Sequence, residues 1–598
     1  MAQTVGDHIL QRLREWDVDR IFGYAGDGIN GILAAFGRAD NDPRFIETRH
    51  EEMAAFAATG YSKFTGKVGV CMATSGPGAI HLLNGLYDAK LDHVPVVAIV
   101  GQQARTALGG SYQQEVDLQT LFKDVAAEYV HTAMVPAQFP NLIDRAMRTA
   151  MAERTVTAVI VPADLQETEY SAPEQAFKMV PSSMGFSPPE IRPPEDEIDR
   201  AAQIINEGSE VAILVGQGAR DAADEVVELA ERVGGGIAKA LLAKDVIPDD
   251  LPFCTGPVGL LGSRPTWDMF QACDTFVMIG SSMPYSQFLP PFDQARGVQI
   301  DLDPKFIGMR YPMESLLVGD ARLTLQALLP KLQRKDDRSF RDDIEQNVSD
   351  WWATMQRRAN TEADPVNPQR LFWELSPRLP QDVIVTGDSG STANWYARYL
   401  VFRKGMRGSL SGTLATMGPG MPYAVGAKFG HPDRPVIACV GDGAFQMNGM
   451  NELITVSKYW QEWDDPRFIV LILHNNDLNQ VTWEMRAMGG FPKFEQTQVL
   501  PSVNYADYAK LLGLDGIRVE KPDDIAPAWD RALAAQRPTV IDALCDPEVP
   551  PIPPHATPEQ IKEATQAVLK GDPDAWHLIK TGAKQKVQEF LPGASRSS

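Results

Sequence analysis

The sequence predicts an α/β protein made of three doubly wound domains, each with a parallel sheet. Three observations support this prediction. At 598 residues, the chain is several times longer than a usual domain of roughly 150 residues. Short apolar runs, among them VGVCMA, VPVVAIV and VTAVIVPA, alternate with segments of helical spacing, which is typical of parallel strands joined by helices. The alternation begins again near residue 190 and near residue 365.

Changes in composition set the expected domain boundaries. A proline-rich stretch over residues 171–197 interrupts the periodicity and is typical of a linker, so we expect the first domain to span residues 1–180. The second domain is expected over residues 190–335, with the runs VAILVG and TFVMIG, and the third over residues 365–550, with PVIACVGDG and RFIVLILHNN. Residues 551–598 are expected to be a tail that packs against a neighbouring domain.

Charge and composition exclude several classes of partner. The net charge of −22 is spread along the chain, which argues against binding to nucleic acid or to an anionic membrane. The five cysteines form no C-x-x-C pair, which suits reduced thiols in a cytoplasmic protein. No secretion signal is visible, and no apolar run approaches the roughly 20 residues of a membrane span. We expect no stable membrane insertion, although the tail segment PEQIKEATQAVLK leaves a helix on the membrane surface as an alternative.

The most informative motif is VGDG at residues 440–443, directly after an apolar strand pattern. Ligands of open α/β sheets bind beyond the carboxyl ends of strands, near helix N-termini. Glycines there allow a phosphate to approach the backbone, and a carboxylate such as Asp442 can hold a divalent cation. A tight turn is the alternative reading of this motif alone. Because the next strand ends at Asn476, the two side chains together predict a hard-oxygen site that suits Mg²⁺.

The order of GDG, helix and NN resembles the metal and diphosphate motif of thiamine-diphosphate enzymes, and it is most similar to the group of pyruvate oxidase and acetolactate synthase. The resemblance implies the thiamine-diphosphate-binding fold for the outer domains. It implies that Asp442, the Asn476 side chain and the Leu478 carbonyl are ligands of Mg²⁺. It also implies that the diphosphate contacts Gly390, Ser391, Thr392, Gly441, Gly443 and Ala444.

The stretch TRHEEMAAFAATGYSKFTG resembles the family motif whose first Glu contacts N1′ of the cofactor pyrimidine, here Glu51. Burial should raise the pKa of such a Glu, so that it can share its proton with N1′; a charge on an amphipathic helix is the alternative. TLATMGPGMPYAVGAKFG resembles the stretch whose methionine, Met417, lies beneath the bent cofactor, and a core methionine is the alternative. Further cofactor contacts are expected from Ala25, Gly26, Thr74, Gly76, Gly78 and Asn84.

The second domain resembles the Rossmann-like flavin domain of the same enzymes through LVGQGAR, MIGSSMPYSQF and VQIDLDP. This resemblance implies bound FAD. The expected contacts are Gly216, Gly218, Gly280, Ser281, Ser282, Asp301 and Asp320. Because GQG lacks the full G-x-G-x-x-G spacing, a domain of this fold that has lost its ligand is the alternative.

The chain departs from the family pattern in three places, two of them on the substrate side. Gln113 stands where pyruvate oxidases have an aromatic residue, although Gln114, an expected catalytic residue, matches. The segment NNDLNQVTWEMRAMGG lacks the usual Gly, so Val481 and Glu484 are only approximate counterparts of the family's catalytic residues. An insertion at residues 461–467 is expected to form an additional surface element.

The resemblance implies decarboxylation of a 2-oxo acid, with pyruvate as the expected substrate, dependent on thiamine diphosphate and Mg²⁺. The enamine intermediate would then be oxidised through FAD, with a quinone or oxygen as electron acceptor. A carboligase of the acetolactate synthase type, with FAD that has no redox role, is one alternative, and a cofactor-free scaffold is another. The family also implies a homodimer or homotetramer in which Glu51 of one subunit meets the Asp442 site of another.

Overall fold

A computed structural model describes residues 2–551 and 558–575 of the chain. Most of the predicted tail, residues 552–557 and 576–598, therefore lies outside the described residues. The described chain contains three six-stranded sheets, and the paired strands within them are parallel. This architecture confirms the predicted fold class. No helix in the described ranges is long and apolar enough to cross a bilayer.

The first sheet has the strand order β2-β1-β3-β4-β6-β5. Its strands are β1 (Arg20–Gly23), β2 (Arg44–Glu47), β3 (Gly69–Ala73), β4 (Val96–Gln102), β5 (Val130–Thr132) and β6 (Val156–Pro162). Its helices are α1 (Val5–Glu15), α2 (Asn30–Arg38), α3 (Glu51–Thr65), α4 (Pro77–His81), α5 (Leu83–Leu91), α6 (Leu118–Leu121), α7 (Phe139–Glu153) and α8 (Ala163–Gln166). Every residue of β3, β4 and β6 is buried, which explains why these strands appear as continuous apolar runs.

The second sheet has the order β12-β11-β10-β7-β8-β9. Its strands are β7 (Val211–Val215), β8 (Gly236–Lys239), β9 (Cys254–Pro257), β10 (Thr275–Ile279), β11 (Arg296–Asp301) and β12 (Ser315–Val318). Its helices are α9 (Glu195–Glu207), α10 (Ala223–Val233), α11 (Arg264–Ala272) and α12 (Ala321–Leu328), and α13 (Ser339–Ala359) follows. Counted from β7, this is the strand order 3-2-1-4-5-6 of the Rossmann fold, with its switch point between β7 and β10.

The third sheet has the order β14-β13-β15-β16-β18-β17, which repeats the order of the first sheet strand for strand. Its strands are β13 (Ile384–Gly387), β14 (Arg407–Ser409), β15 (Val436–Gly441), β16 (Phe468–His474), β17 (Asp515–Val519) and β18 (Thr539–Leu544). Its helices are α14 (Pro368–Leu375), α15 (Ser391–Tyr399), α16 (Gly420–Gly430), α17 (Asp442–Ala444), α18 (Met450–Tyr459), α19 (Asn479–Gly489), α20 (Glu495–Gln498), α21 (Tyr505–Leu511) and α22 (Ile525–Leu533). The tail helix α23 (Pro558–Leu569) packs against α19.

The first and third domains share one hydrophobic core, which joins residues of both sheets. Helix α3 of the first domain lies directly against α16 of the third. A Cβ atom added at Gly60 would lie 2.7 Å from Cα of Tyr423, closer than packed atoms allow, so the helices approach backbone to backbone. This contact fixes the two outer domains of one chain relative to each other.

Candidate active site

The metal-binding half of the predicted site lies in the third domain. Asp442 follows β15 directly and is buried, with only 2% of its surface exposed. Its Oδ2 accepts a hydrogen bond from the Asn476 backbone N–H at 2.6 Å, and its Oδ1 accepts one from Gly443 at 2.9 Å. Burial raises the pKa of the carboxyl, while the N–H of Asn476 opposes this shift. The two strand ends are thus joined through the predicted cation ligand.

The Asn476 side chain is oriented by a residue that sequence reasoning missed. Asn476 has a φ of +53°, in the left-handed region that Asn tolerates. Its Oδ1 lies 2.9 Å from Nε2 of His474, and Nδ1 of His474 lies 2.7 Å from Oδ1 of Asp542. Burial lowers the pKa of His474, but the hydrogen bond to Asp542, the negative charges of Asp542 and Asp442 and the hydrogen bond to Asn476 together raise it overall. Hydrogen-bond partners of a metal ligand fix the orientation of that ligand. The sequence signal for this partner is the position of His474 directly before Asn475 and Asn476.

The predicted third ligand, the Leu478 carbonyl, lies at the start of α19, where it accepts a hydrogen bond from Thr482 N–H at 3.1 Å. A carbonyl oxygen has two lone pairs, so this bond leaves one for a cation. Asp442, Asn476 and Leu478 therefore provide a carboxylate, an amide and a carbonyl oxygen, which are the hard oxygen ligands that fit Mg²⁺.

The predicted diphosphate contacts surround a donor that has no partner. Gly390 has a φ of +98°, and α15 begins at Ser391. The buried Oγ1 of Thr392 has no hydrogen-bond partner among the described residues, and it would lie 3.6 Å from a Cβ added at Gly441. Gly443 and Ala444 belong to α17, the short helical turn that directly follows β15. A buried polar atom without a partner, beside a helix N-terminus, fits a phosphate group.

The pyrimidine-binding half lies in the first domain. Glu51 begins α3 and is buried, and its Oε2 lies 3.0 Å from Nδ1 of His81. The rings of His50 and His81 lie 4.3 Å apart between centroids, tilted by 31°. A Cβ added at Gly78 would lie 3.0 Å from Glu51 Oε1 and 2.7 Å from Cγ2 of Thr74. Only glycine at position 78 leaves room beside the Glu51 carboxyl, as the approach of a cofactor ring to this carboxyl would require. The contact of His81 with Glu51 was not predicted from the sequence.

The other first-domain candidates lie at neighbouring strand ends. Ala25 and Gly26 follow β1, and Thr74 follows β3, where its Oγ1 accepts a hydrogen bond from Gly28 N–H at 2.8 Å. Gly76 (φ +59°) and Gln114 (φ +60°) are both left-handed. A Cβ at Gly76 would lie 2.9 Å from Cβ of Gln114. Gln114 is therefore held against the glycine turn, in a strained conformation typical of functional sites.

The remaining candidates lie in the third domain or between domains. Asn84 donates hydrogen bonds to Oε1 of Glu52 at 2.6 Å and to Oγ1 of Thr416 at 3.2 Å, which joins the two outer domains beside half-buried Met417. Val481 and Glu484 are exposed on α19. In the described part of the chain, no hydrogen bond or ion pair connects Glu51 or His81 with Asp442 or Asn476.

The predicted flavin contacts lie at the switch point of the second sheet. Gly216 and Gly218 follow β7, and Gly280 follows β10. Gly218 N–H donates to Gly280 O at 3.1 Å, and a side chain at Gly216 would overlap that carbonyl. These glycines bring the two turns together at the position where Rossmann folds bind nucleotides, so this position in the sheet fits FAD.

Three of the four polar flavin candidates, Ser281, Asp301 and Asp320, accept hydrogen bonds within the protein. Oγ of Ser281 accepts a hydrogen bond from Met283 N–H at 3.3 Å, while neighbouring Ser282 is half-buried. Asp301 ends β11 and accepts one from Asp303 N–H at 3.0 Å, and burial raises its pKa. Asp320 accepts one from Leu323 N–H at 3.0 Å as the N-cap of α12. Helix capping accounts for Asp320 without a ligand.

The insertion at residues 461–467 contacts the first domain. Glu462 forms an ion pair with Arg44 of β2. Trp463 is buried and stacks on Phe468, with 5.6 Å between ring centroids. The insertion therefore lies between the two outer domains, beside the strand that precedes Glu51.

Comparison with known proteins gives matches along most of the chain. Models of thiamine pyrophosphate enzymes match three segments: the N-terminal TPP binding domain at residues 3–121, the central domain at 198–328 and the C-terminal TPP binding domain at 388–543. A Bacillus subtilis protein named "Putative thiamine pyrophosphate-containing protein YdaP" is 35% identical over 95% of this chain and 96% of its own length. Pyruvate oxidase of Lactiplantibacillus plantarum is 29% identical over 90% of this chain and 88% of its own. The large subunit of acetolactate synthase isozyme 2 of Escherichia coli is 30% identical over 91% and 97%.

Proposed function

The chain belongs to the thiamine pyrophosphate enzyme family, in the group of pyruvate oxidase and acetolactate synthase, and from this premise we propose that it oxidatively decarboxylates pyruvate. In this reaction pyruvate and water give acetate and CO₂, and two electrons with two protons pass to FAD. The observation that supports the cofactor site most directly is the buried carboxylate of Asp442 beside the oriented amide of Asn476, at adjacent strand ends.

The third domain would hold the diphosphate end of the cofactor. Asp442, Asn476 and the Leu478 carbonyl would bind Mg²⁺, and Thr392 Oγ1 would donate its free hydrogen bond to the diphosphate. His474 would keep the Asn476 oxygen directed toward the cation. When bound, thiamine diphosphate supplies a carbon nucleophile and an electron sink for decarboxylation.

The first domain would activate the cofactor. Glu51 would hold and return a proton at the pyrimidine N1′, and His81 would keep its carboxyl in place. The glycine at position 78 would leave room for the ring. Because no hydrogen bond or ion pair joins the Glu51 and Asp442 clusters in the described chain, we propose a homodimer or homotetramer in which two subunits complete each site.

FAD would bind at the carboxyl ends of β7 and β10, where Gly216, Gly218 and Gly280 bring the backbones together. Its isoalloxazine would accept electrons for transfer to a quinone or to oxygen. The second candidate function is a carboligase with FAD that has no redox role. Similarity to acetolactate synthase along 97% of the E. coli subunit favours this alternative.

The two functions differ in what happens to the flavin. Purified protein with thiamine diphosphate, Mg²⁺ and FAD is mixed without oxygen with a panel of 2-oxo acids, and CO₂ release and flavin absorbance are followed together. The oxidase bleaches one flavin for each CO₂ in the first turnover. The carboligase releases CO₂ without bleaching and forms a condensed hydroxy-oxo acid. Absence of CO₂ with every acid, compared with a Glu51→Gln control, would contradict both.

A further inference from the structure

Met417 lies in a ten-residue connection between β14 and α16, residues 410–419, which we call the methionine segment. The segment has no regular secondary structure, and two of its residues, Ala415 (φ +53°) and Gly418 (φ +108°), are left-handed. A non-glycine residue is strained there, so contacts from outside the segment must hold this conformation.

Buried Asp388, which sequence reasoning did not single out, binds the backbone on the carboxyl side of Met417. Its Oδ1 accepts a hydrogen bond from Gly418 N–H at 2.9 Å, and its Oδ2 accepts one from Gly420 N–H at 2.8 Å. Asp388 is 1% exposed, and burial raises its pKa to about 7 while these N–H groups oppose the shift. A Cβ at Gly420 would lie 2.9 Å from Oδ2, so the turn fits closely around the carboxyl.

Asp388 also belongs to the predicted diphosphate loop. It follows β13, its own N–H donates to Cys439 O on β15 at 3.0 Å, and Gly390, with φ +98°, lies two residues later. One short stretch thus holds the backbone of the methionine segment and begins the loop expected to bind diphosphate.

A second carboxylate binds the other end of the methionine segment. Asp92, from the first domain, accepts hydrogen bonds from Thr413 N–H at 2.8 Å and Gly412 N–H at 3.0 Å. It also pairs with Lys63 at 2.6 Å. Asp92 therefore makes the same kind of two-amide contact as Asp388, but four or five residues away from Met417. The pair provides a matched comparison.

We propose that Asp388 is a positioning residue that holds Met417 against the cofactor. The inference rests on the proposed function of the site, because Met417 contacts the cofactor only on that reading. Asp388 acts through the segment and touches neither substrate nor metal. Each of its oxygens satisfies one amide, and a carboxylate accepts both bonds, whereas an amide side chain would direct N–H toward one of them.

Asp388→Asn tests the proposal with three measurements. In the cofactor-free protein, hydrogen exchange of the Gly418 and Gly420 amides should accelerate at least ten-fold. Affinity for thiamine diphosphate with Mg²⁺, measured by calorimetry, should stay within three-fold of wild type. Exchange of the cofactor C2 proton with deuterium should slow at least ten-fold. Unchanged C2 exchange with accelerated amide exchange would overturn the proposal.

Asp92→Asn is the matched control, because it removes the equivalent contact at the far end of the segment. Asp92→Asn should accelerate hydrogen exchange of the Gly412 and Thr413 amides but leave the rate of C2 proton exchange within three-fold of wild type. If C2 proton exchange slowed equally in both variants, the methionine segment would only need to be intact, and the specific role of Asp388 would be overturned. In the double variant Asp388→Asn with Met417→Ala, the C2 proton should exchange no more slowly than in Met417→Ala alone. If the two substitutions slowed C2 proton exchange additively, Asp388 would not act through Met417.

Gly420→Ala provides an independent variant if Asp388→Asn does not fold, because its Cβ disturbs the same contact. It should also slow C2 exchange ten-fold, and normal exchange would overturn the proposal. A failure of the proposed cofactor site is distinguishable, since wild-type protein would then bind no thiamine diphosphate, whereas C2 exchange does not depend on whether the enzyme is the oxidase or the carboligase.

Discussion

The first and third domains have the same strand order but place their principal buried carboxyl at different strand ends. In the third domain, the predicted cation ligands Asp442 and Asn476 follow β15 and β16, two adjacent central strands, and Asp442 is buried. In the first domain, buried Glu51 comes after the edge strand β2. The third domain brings oxygen ligands together, whereas the first leaves space around one carboxyl. One fold can therefore serve two ends of a cofactor by placing the principal carboxyl at the edge of one sheet and at the centre of the other.

The largest expected effect tests the first domain. Glu51→Gln keeps the size of the side chain but removes the proton that N1′ requires, so we expect C2 proton exchange and turnover to fall about 1,000-fold. Cofactor affinity should stay within a few-fold, since the diphosphate site is untouched. Exchange followed by NMR and affinity by calorimetry check this split. Normal exchange in the variant would remove Glu51 from its proposed role.

The complementary change tests the third domain. Asp442→Ala removes a ligand of the proposed cation, so affinity for thiamine diphosphate in Mg²⁺ should fall by roughly 100-fold or more. The control is Asp464→Ala, at an exposed position of the insertion. Calorimetry with and without Mg²⁺ should show that the variant has lost the metal dependence of wild type. If both variants lost affinity equally, or Glu51→Gln lost as much as Asp442→Ala, the division between the domains would be wrong.

The sequence predicts the parts of this comparison that depend on neighbouring residues. Alternating strand and helix patterns predict three α/β domains, and strand ends at Asp442 and Asn476 meet because neighbouring parallel strands share one edge. The partners of these residues are separated along the chain: His474 contacts Asp542, and Asp388 contacts Gly418 and Gly420. Such contacts depend on how the loops fold over the sheet, which local patterns do not specify.

Asp320 shows the opposite limit of sequence reasoning. The acid of VGD at residues 318–320 suggests a ligand contact in a nucleotide-binding pattern, but a helix begins at the next residue and the Asp320 side chain caps it. Local capping chemistry and ligand binding favour the same residue types at strand ends. The roles of the flavin candidates therefore remain predictions, and their position at the switch point is the structural support for them.

A pH dependence should distinguish the buried acids of the third domain from surface acids. Glu452 on α18 is fully buried, and burial raises the pKa of its carboxyl to about 7. Its ordinary value is 4.5, so the unfolded chain loses this proton first and the folded state loses stability as pH rises from about 4.5 to 7. We expect Glu452→Gln to gain roughly 2 kcal/mol relative to wild type between pH 5 and pH 8.

Urea unfolding at both pH values measures this gain, and Glu128→Gln, at an exposed position, is the control. If Glu452→Gln and wild type changed in parallel with pH, the carboxyl would be charged in the folded protein. Burial of the Glu452 carboxyl would then not reduce the stability of the folded protein as the pH rises.

The smallest expected effect tests the space around Glu51. Gly78→Ala places a Cβ 2.7 Å from Cγ2 of Thr74 and 3.0 Å from Oε1 of Glu51, so the Glu51 carboxyl must shift. Turnover should fall about ten-fold, since a misplaced catalytic group loses rate steeply with distance. Gly37→Ala is the matched control, because its Cβ meets nothing within 4 Å and a helical Gly→Ala change is neutral or stabilising. Full activity of Gly78→Ala would mean that the space beside the Glu51 carboxyl can be filled by a methyl group without loss of function. The contrast between this space and the closely packed oxygen ligands of the third domain would then not hold.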